Sequence, residues 1–348
     1  MRRAHGPLRT LGLAALLGTS AAALAADEGS SNETATLSYQ ALPKWSLILP
    51  KESWKNADEY CGVPHAGDPG GFAVEQSGLM ALEVDTNGDG ELDQKIKGAQ
   101  GFARLRGKDE DGEAFEYAVR FRYDGGYRWS PGGAMVGKLR GQTIRLIDQN
   151  GDGTYDQAGV DALIVGASDA ASFLSSVVNL DGELWNLEVS PNGGRASVTP
   201  FEGETGTLDL ASGFRSQGAL ASAVVKAREL SFELAGAPNG LKVPAGTYEL
   251  AYGFAVRAGE TVHIGKGKTK PIDVRAGEKA ELGWGGPIVA EFDYRVRGET
   301  ITVQADVKFF GKAGEEYVQF KPDAKSPKIL VSEKSTGKLL ASGRFGGC

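Results

Sequence analysis

Apolar and polar residues alternate along most of this chain with a period of two. In EYAVRFRY, Tyr117, Val119, Phe121 and Tyr123 fall on one face, and Glu116, Arg120 and Arg122 on the other. That spacing predicts a half-buried strand, and Asp124-Gly125-Gly126 then turns the chain. TIRLI, ALIVG, LWNLEV and ASVTPF predict further strands. DAASFLSSVV (169–178) is the one segment that predicts a short helix, capped by Ser168 or Asp169. Pro244 and Gly246 set a turn, after which Tyr248, Leu250 and Tyr252 alternate. Near the end Phe292, Tyr294 and Val296 alternate, Gly298 turns the chain, and Ile301, Val303, Ala305, Val307 and Phe309 alternate again. This predicts a long hairpin with one wet face.

The pattern loosens around Leu210–Gly218 and again near Gly283–Pro287. The expected class is therefore all-β, with two or three sandwich-like domains in tandem. Residues 1–25 read as a signal peptide and 26–40 as a disordered leader. A β-rich domain follows at 41–212, then a β-sandwich at 213–284 and a small Ig-like β domain at 285–348. Residues 41–65 are irregular and aromatic, with Trp45, Trp54 and Tyr60, and are expected to cover a sheet.

Composition sharpens this. The chain has 348 residues, 50 of them Gly, which is more than one core comfortably holds and suits many short turns. Arg2, Arg3 and Arg9 precede the apolar run Leu11–Leu17, and Ala23-Leu24-Ala25 supplies a small-residue cleavage site. Those three parts make an export signal, so the product is expected to be secreted or periplasmic. No later segment is apolar enough to span a bilayer. The formal net charge is −7, and loss of the basic leader makes it more acidic. This disfavours nucleic acid and anionic membrane surfaces as partners. A protein or polysaccharide at the cell surface is the expected partner. Cys61 and Cys348 are the only cysteines. In an exported chain they predict one disulfide, the alternative being two separate thiols.

The strongest chemical signal is a repeat. DTNGDGELD (Asp85–Asp93) returns as DQNGDGTYD (Asp148–Asp156). Asp85, Asn87, Asp89 and Asp93 hold positions 1, 3, 5 and 9, and Asp148, Asn150, Asp152 and Asp156 hold the same positions in the second copy. Gly90 and Gly153 stand at position 6, and Leu92 and Tyr155 give an apolar position 8. Calcium takes six to eight oxygens, and alternate side chains converge on one ion if the chain curls. Glycine permits the sharp turn. The alternative is a pair of Asp/Asn/Gly-rich turns with no ion. Position 12, where a helix-loop-helix calcium site needs a bidentate acid, is Ile96 or Gly159. The flanks are strands instead.

Nine residues of this spelling between strands resemble the calcium hairpins of integrin-type (FG-GAP) repeats. The resemblance implies Ca2+ ligands at Asp85, Asn87, Asp89, the Glu91 carbonyl and Asp93. In the second copy it implies Asp148, Asn150, Asp152, the Thr154 carbonyl and Asp156. Two copies cannot close a propeller, so only the loop carries over. Asp161 is an additional candidate that the pattern does not require. Without an acid at position 12 the affinity is expected to be modest, roughly 10⁻⁴–10⁻³ M. PAGTYEL resembles carboxypeptidase-regulatory-like β-sandwich modules, which implies a fold and no catalytic residue. The overall cadence resembles that of exported bacterial proteins, which implies no function.

Catalytic signatures are sparse. After the leader only His65 and His263 remain, and no Gly-x-Ser-x-Gly elbow or phosphate loop is present. The expectation is a non-catalytic binding or structural module with structural calcium. The alternatives are a calcium-dependent polysaccharide hydrolase, and a carbohydrate-binding or adhesin module stacking sugars on Tyr123, Tyr127 and Trp129. For those rings, core packing is the competing reading.

Overall fold

The strand read from EYAVRFRY runs from Ala114 to Tyr123, between Gln100–Lys108 and Tyr127–Pro131. The computed structural model describes residues 31–64, 70–109, 112–298, 300–318 and 328–344. Among these the protein is all-β, built from several sheets in sandwich-like layers, with no helix and no closed barrel. Among the described residues no helix is long and apolar enough to cross a membrane. Residues 1–25, read as a signal peptide, and His65 lie outside the described residues.

Four sheets surround the first core. It is built around Phe72, Leu82, Leu105, Tyr117, Phe121, Trp129, Leu146 and Trp185. Tyr117, Val119 and Phe121 are buried, as their period requires. The opposite face is not left to water. Arg120 lies over the Trp45 ring at 3.7 Å and pairs with Glu52 at 2.5 Å, and Arg122 lies over Trp54 at 4.3 Å. Segment 41–65 thus covers this sheet through cation–π stacking, which shields both guanidinium planes.

Two local expectations are corrected. Residues 33–40, within the 26–40 stretch assigned by composition to a disordered leader, lie in and between the strands Glu33–Thr36 and Ser38–Ala41. Leu37 is buried between them, and the Ala118 amide donates to the Tyr39 hydroxyl at 2.6 Å, so a polar segment is held by two apolar anchors. Residues 169–178 are extended, containing the short strand Ser172–Phe173 and the start of Val177–Leu180. Ala170 through Ser175 are buried on every side, which an amphipathic helix does not provide for. Ser175 and Ser231 hydroxyls instead serve the extended backbone: the Phe173 amide donates to Ser231 at 3.2 Å and the Ser231 amide to Ser175 at 3.1 Å.

A second core gathers Leu208, Val225, Phe232, Tyr248, Leu250, Ile264 and Trp284. Tyr248 and Leu250 point inward as read from PAGTYEL, and the Tyr248 hydroxyl donates to the Pro244 carbonyl at 2.8 Å. Strands Ala219–Ala227, Gly246–Arg257 and Glu260–Gly265 share one sheet with Glu316–Val318, Thr300–Phe310 and Val289–Arg297. The turn at 283–287 is therefore not a sheet boundary, and residues 289–318 extend the preceding sheet. The hairpin Val289–Arg297/Thr300–Phe310 forms, with a register shift between Phe292 and Tyr294 that breaks the expected regular alternation, and its first strand is exposed along its whole length. Cys61 is buried, which pushes its thiol pKa well up and keeps it unreactive. Cys348, the other half of the expected bridge, lies outside the described residues.

Candidate metal centre

Each copy of the repeat closes a hairpin. The first joins Ala81–Val84 to Gln94–Lys97, whose last pair is Val84↔Gln94. The next opposed residues are Asp85 and Asp93. The second joins Gln142–Ile147 to Ala162–Val165, whose last pair is Ile147↔Ala162. By the same register Asp148 faces Asp161. The two hairpins differ in length, so the acid opposite position 1 is position 9 in the first and Asp161 in the second. Asp156, the spacing match, is exposed.

The curl itself is the same in both. In the first loop Asp85 Oδ1 accepts from the amides of Asn87 and Gly88 at 3.0 and 2.8 Å, and Oδ2 from Gly90 at 2.8 Å. In the second, Asp148 Oδ1 accepts from Gly151 and Asp152 at 2.6 and 3.1 Å, and Oδ2 from Gly153 at 2.7 Å. Gly90 and Gly153 both have φ of 87°, the left-handed conformation that position 6 demands. Asn87 Oδ1 accepts from the Asp89 amide at 3.0 Å, and Asp89 Oδ1 from the Glu91 amide at 2.8 Å. Asn150 and Asp152 repeat both contacts, at 3.3 and 2.9 Å. Side chains at positions 1, 3 and 5 thus turn to the inside of each curl.

Their surroundings diverge. In the first loop only Asp85 is buried, and Asp93 is tied to the Thr86 amide and hydroxyl at 2.8 and 2.7 Å. Leu92, the expected anchor, is half-buried. The second loop is set into the core. Tyr155 is buried and donates its amide to the Pro191 carbonyl at 2.9 Å. The buried Tyr117 hydroxyl donates to Asp148 Oδ2 at 2.7 Å. Gln157 donates its side-chain amide to Asp152 Oδ2 at 2.6 Å and its backbone amide to Asp161 Oδ2 at 2.9 Å.

Asp161 is wholly buried, and its Oδ1 has no hydrogen-bond partner among the described residues. No protein-family model, curated protein or solved structure matches the chain. The chemistry of the site therefore rests on its own geometry. Burial pushes the Asp161 carboxyl up to about 8; the Gln157 amide opposes this, while the charges of Asp148, Asp152 and Asp156 add to it. Burial likewise pushes Asp148 up to about 6, against the pull of the Tyr117 hydroxyl and the Gly153 amide. Burial also works on Asp152, but bonds from Thr154, Asn150 and Gln157 outweigh it and hold that carboxyl below its ordinary value. Among the described residues, no three His, Cys, Asp or Glu side chains converge closely enough to grip an ion as they stand. The carboxylates are turned onto loop amides instead.

The donor set nonetheless suits a hard cation. It is all oxygen, anionic and mounted on a curled hairpin, and in the second loop it includes an orphaned buried carboxylate oxygen. Asp148, Asn150, Asp152 and Asp161 are the side chains that could hold an ion there if they turned from the loop amides; Asp156 is exposed. Asp85, Asn87, Asp89 and Asp93 are their counterparts in the first loop. Asp161 and Tyr117 are the residues that motif spacing underweights. Only the pairing register reveals the first, and only the folded core the second.

The aromatic trio does not form a platform. Tyr127 and Trp129 are buried in the first core, with the Tyr127 hydroxyl donating to the Gly98 carbonyl at 2.7 Å, and only Tyr123 is half-exposed. His263 sits against Tyr252, its Nδ1 3.1 Å from the hydroxyl, and near Phe254.

Proposed function

We propose that this chain is an exported, non-catalytic calcium-binding β protein, acting as a binding or structural module toward a protein or polysaccharide at the cell surface. Calcium is structural in this reading. It braces the hairpin turns Asp85–Asp93 and Asp148–Asp161 and so fixes the sheets that carry them. The observation that carries it is Asp161: a buried carboxylate opposite a second buried carboxylate, with one oxygen left without a partner. Like charges opposed across a strand pair destabilise a hairpin, and a divalent cation reverses that sign.

The second loop is the stronger site in this reading, because it is less exposed and offers one more buried acid. The test is a melting curve in EGTA and in millimolar calcium, with magnesium as control. Calcium should raise the melting temperature and magnesium should not. At a tenfold excess over the dissociation constant each filled site contributes about 1.4 kcal/mol. Asp152→Asn should remove most of the rise, and Asp89→Asn a smaller part. Identical curves in calcium and EGTA would sink the proposal and leave two Asx-rich turns.

A further inference from the structure

Strand Val289–Arg297 is the last in its sheet. It pairs with Thr300–Phe310 on one side, and among the described residues its other edge pairs with no strand. Every residue in it is exposed. Phe292, Tyr294 and Val296 share one face, opposite Val307, Val303 and Ile301 of the neighbouring strand. Tyr294 and Val296 are 62% and 58% exposed, so two apolar side chains stand open along an edge that no described strand pairs. Such an edge is a template for another strand.

Its sequence specifies which strand. The opposite face reads Glu291, Asp293, Arg295, Arg297: two acids, then two bases. We propose that Val289–Arg297 pairs antiparallel with the same strand of a second copy of this chain, about a two-fold axis at Tyr294. Glu291 then faces Arg297 of the other copy and Asp293 faces its Arg295, each twice by symmetry. Phe292 faces Val296, and the two tyrosines meet at the axis. The apolar stripes of the two copies become one continuous stripe on the same side of a joined sheet.

Competing registers fail on charge. Centring the axis on Asp293 opposes Asp293 to itself, and centring it on Arg295 opposes two guanidinium groups. Parallel in-register pairing sets like on like at every charged position. Charges directly opposite across a strand pair contribute in either sign, so the Tyr294 register alone gains at every charged position. Glu291 also meets Lys268 within its own chain and would be shared. No ion pair within the chain engages Asp293, Arg295 or Arg297 among the described residues. The interface is isologous and closes on itself, which limits assembly to a dimer. It does not depend on the calcium reading.

The experiment is sedimentation equilibrium of the full chain over a range of concentrations, with two charge variants. Arg295→Glu with Arg297→Glu makes the strand all acidic. Glu291→Arg with Asp293→Arg makes it all basic. The wild type should reach twice the monomer mass. Each variant alone should stay monomeric where the wild type dimerises, its dissociation constant raised on the order of 100-fold by four reversed pairs. An equimolar mixture of the two variants should recover the dimer. Because the strand is exposed, both variants should melt with the wild type at concentrations where the wild type is monomeric, which confirms that they fold. A wild type that stays monomeric throughout, variants that dimerise unchanged, or a mixture that fails to associate each overturns the proposal.

Discussion

Asp148→Ala should destabilise the protein by about 3 kcal/mol or more even in EGTA, a larger loss than Asp85→Ala produces. The two residues hold the same position in the same motif and accept from three loop amides each. What differs is the surroundings. Asp148 also accepts from the Tyr117 hydroxyl, which is buried and has its own pKa pushed well up by burial and then by the Asp148 charge. Alanine leaves that hydroxyl and the Gly151 and Gly153 amides without their acceptor, while the Asp152 amide keeps Asn150 Oδ1. A buried donor left unmade costs about 1–3 kcal/mol. Asp85 lies in a loop whose other members are mostly exposed, so its amides rehydrate on truncation. Urea unfolding in EGTA measures the difference. Equal losses at the two positions would mean that Tyr117 adds nothing. Tyr117→Phe in the Asp148→Ala background should then recover part of the loss, because it removes the orphaned hydroxyl.

That asymmetry marks how far the sequence could be read. The period of two located the strands around both loops, and the Asp/Asn/Gly spelling located the curls, because both signals are local. The cover was legible in part: Trp45 and Trp54 lie on Arg120 and Arg122, whereas Tyr60, read with them, is exposed. The missed features are all set at a distance. Residues 169–178 look helical alone, but the Ser231 hydroxyl, distant in sequence, accepts from the Phe173 amide of an extended backbone there, and the Ser231 amide donates to the Ser175 hydroxyl in return. Residues 33–40 are polar by composition, yet Leu37 and Tyr39 dock them on the first core. Tyr127 and Trp129 are buried by strands whose packing no local pattern reports. The matching of Asp156 to Asp93 by spacing fails for a related reason. Sequence distance along a loop does not determine which residue lies across it. The strand ladder does, and the ladder puts Asp161 opposite Asp148.

Asp161→Asn should raise the melting temperature in EGTA and shrink the gain from calcium, so that the variant is the more stable protein without the ion and benefits less from it. The carboxylate is buried, faces Asp148 and has one unpartnered oxygen. Asparagine keeps an acceptor for the Gln157 amide, which donates to Asp161 at 2.9 Å, and removes the charge. The sign of the pH dependence follows from the raised carboxyl. With a folded value near 8 against an ordinary 3.8, the Asp161 contribution to the metal-free wild type is most favourable below pH 3.8 and is lost as pH rises through 8. Asp148, raised to about 6, adds to the loss at the acidic end of that window. The advantage of asparagine should therefore grow across the window and level off above it, reaching on the order of a few kcal/mol. In saturating calcium the ion compensates both charges, and the wild-type profile should flatten. Melting curves from pH 4 to pH 9, in EGTA and in calcium, measure both slopes. If Asp161→Asn lowers the melting temperature equally in both media, Asp161 is a structural hydrogen-bonding residue and the second hairpin needs no cation.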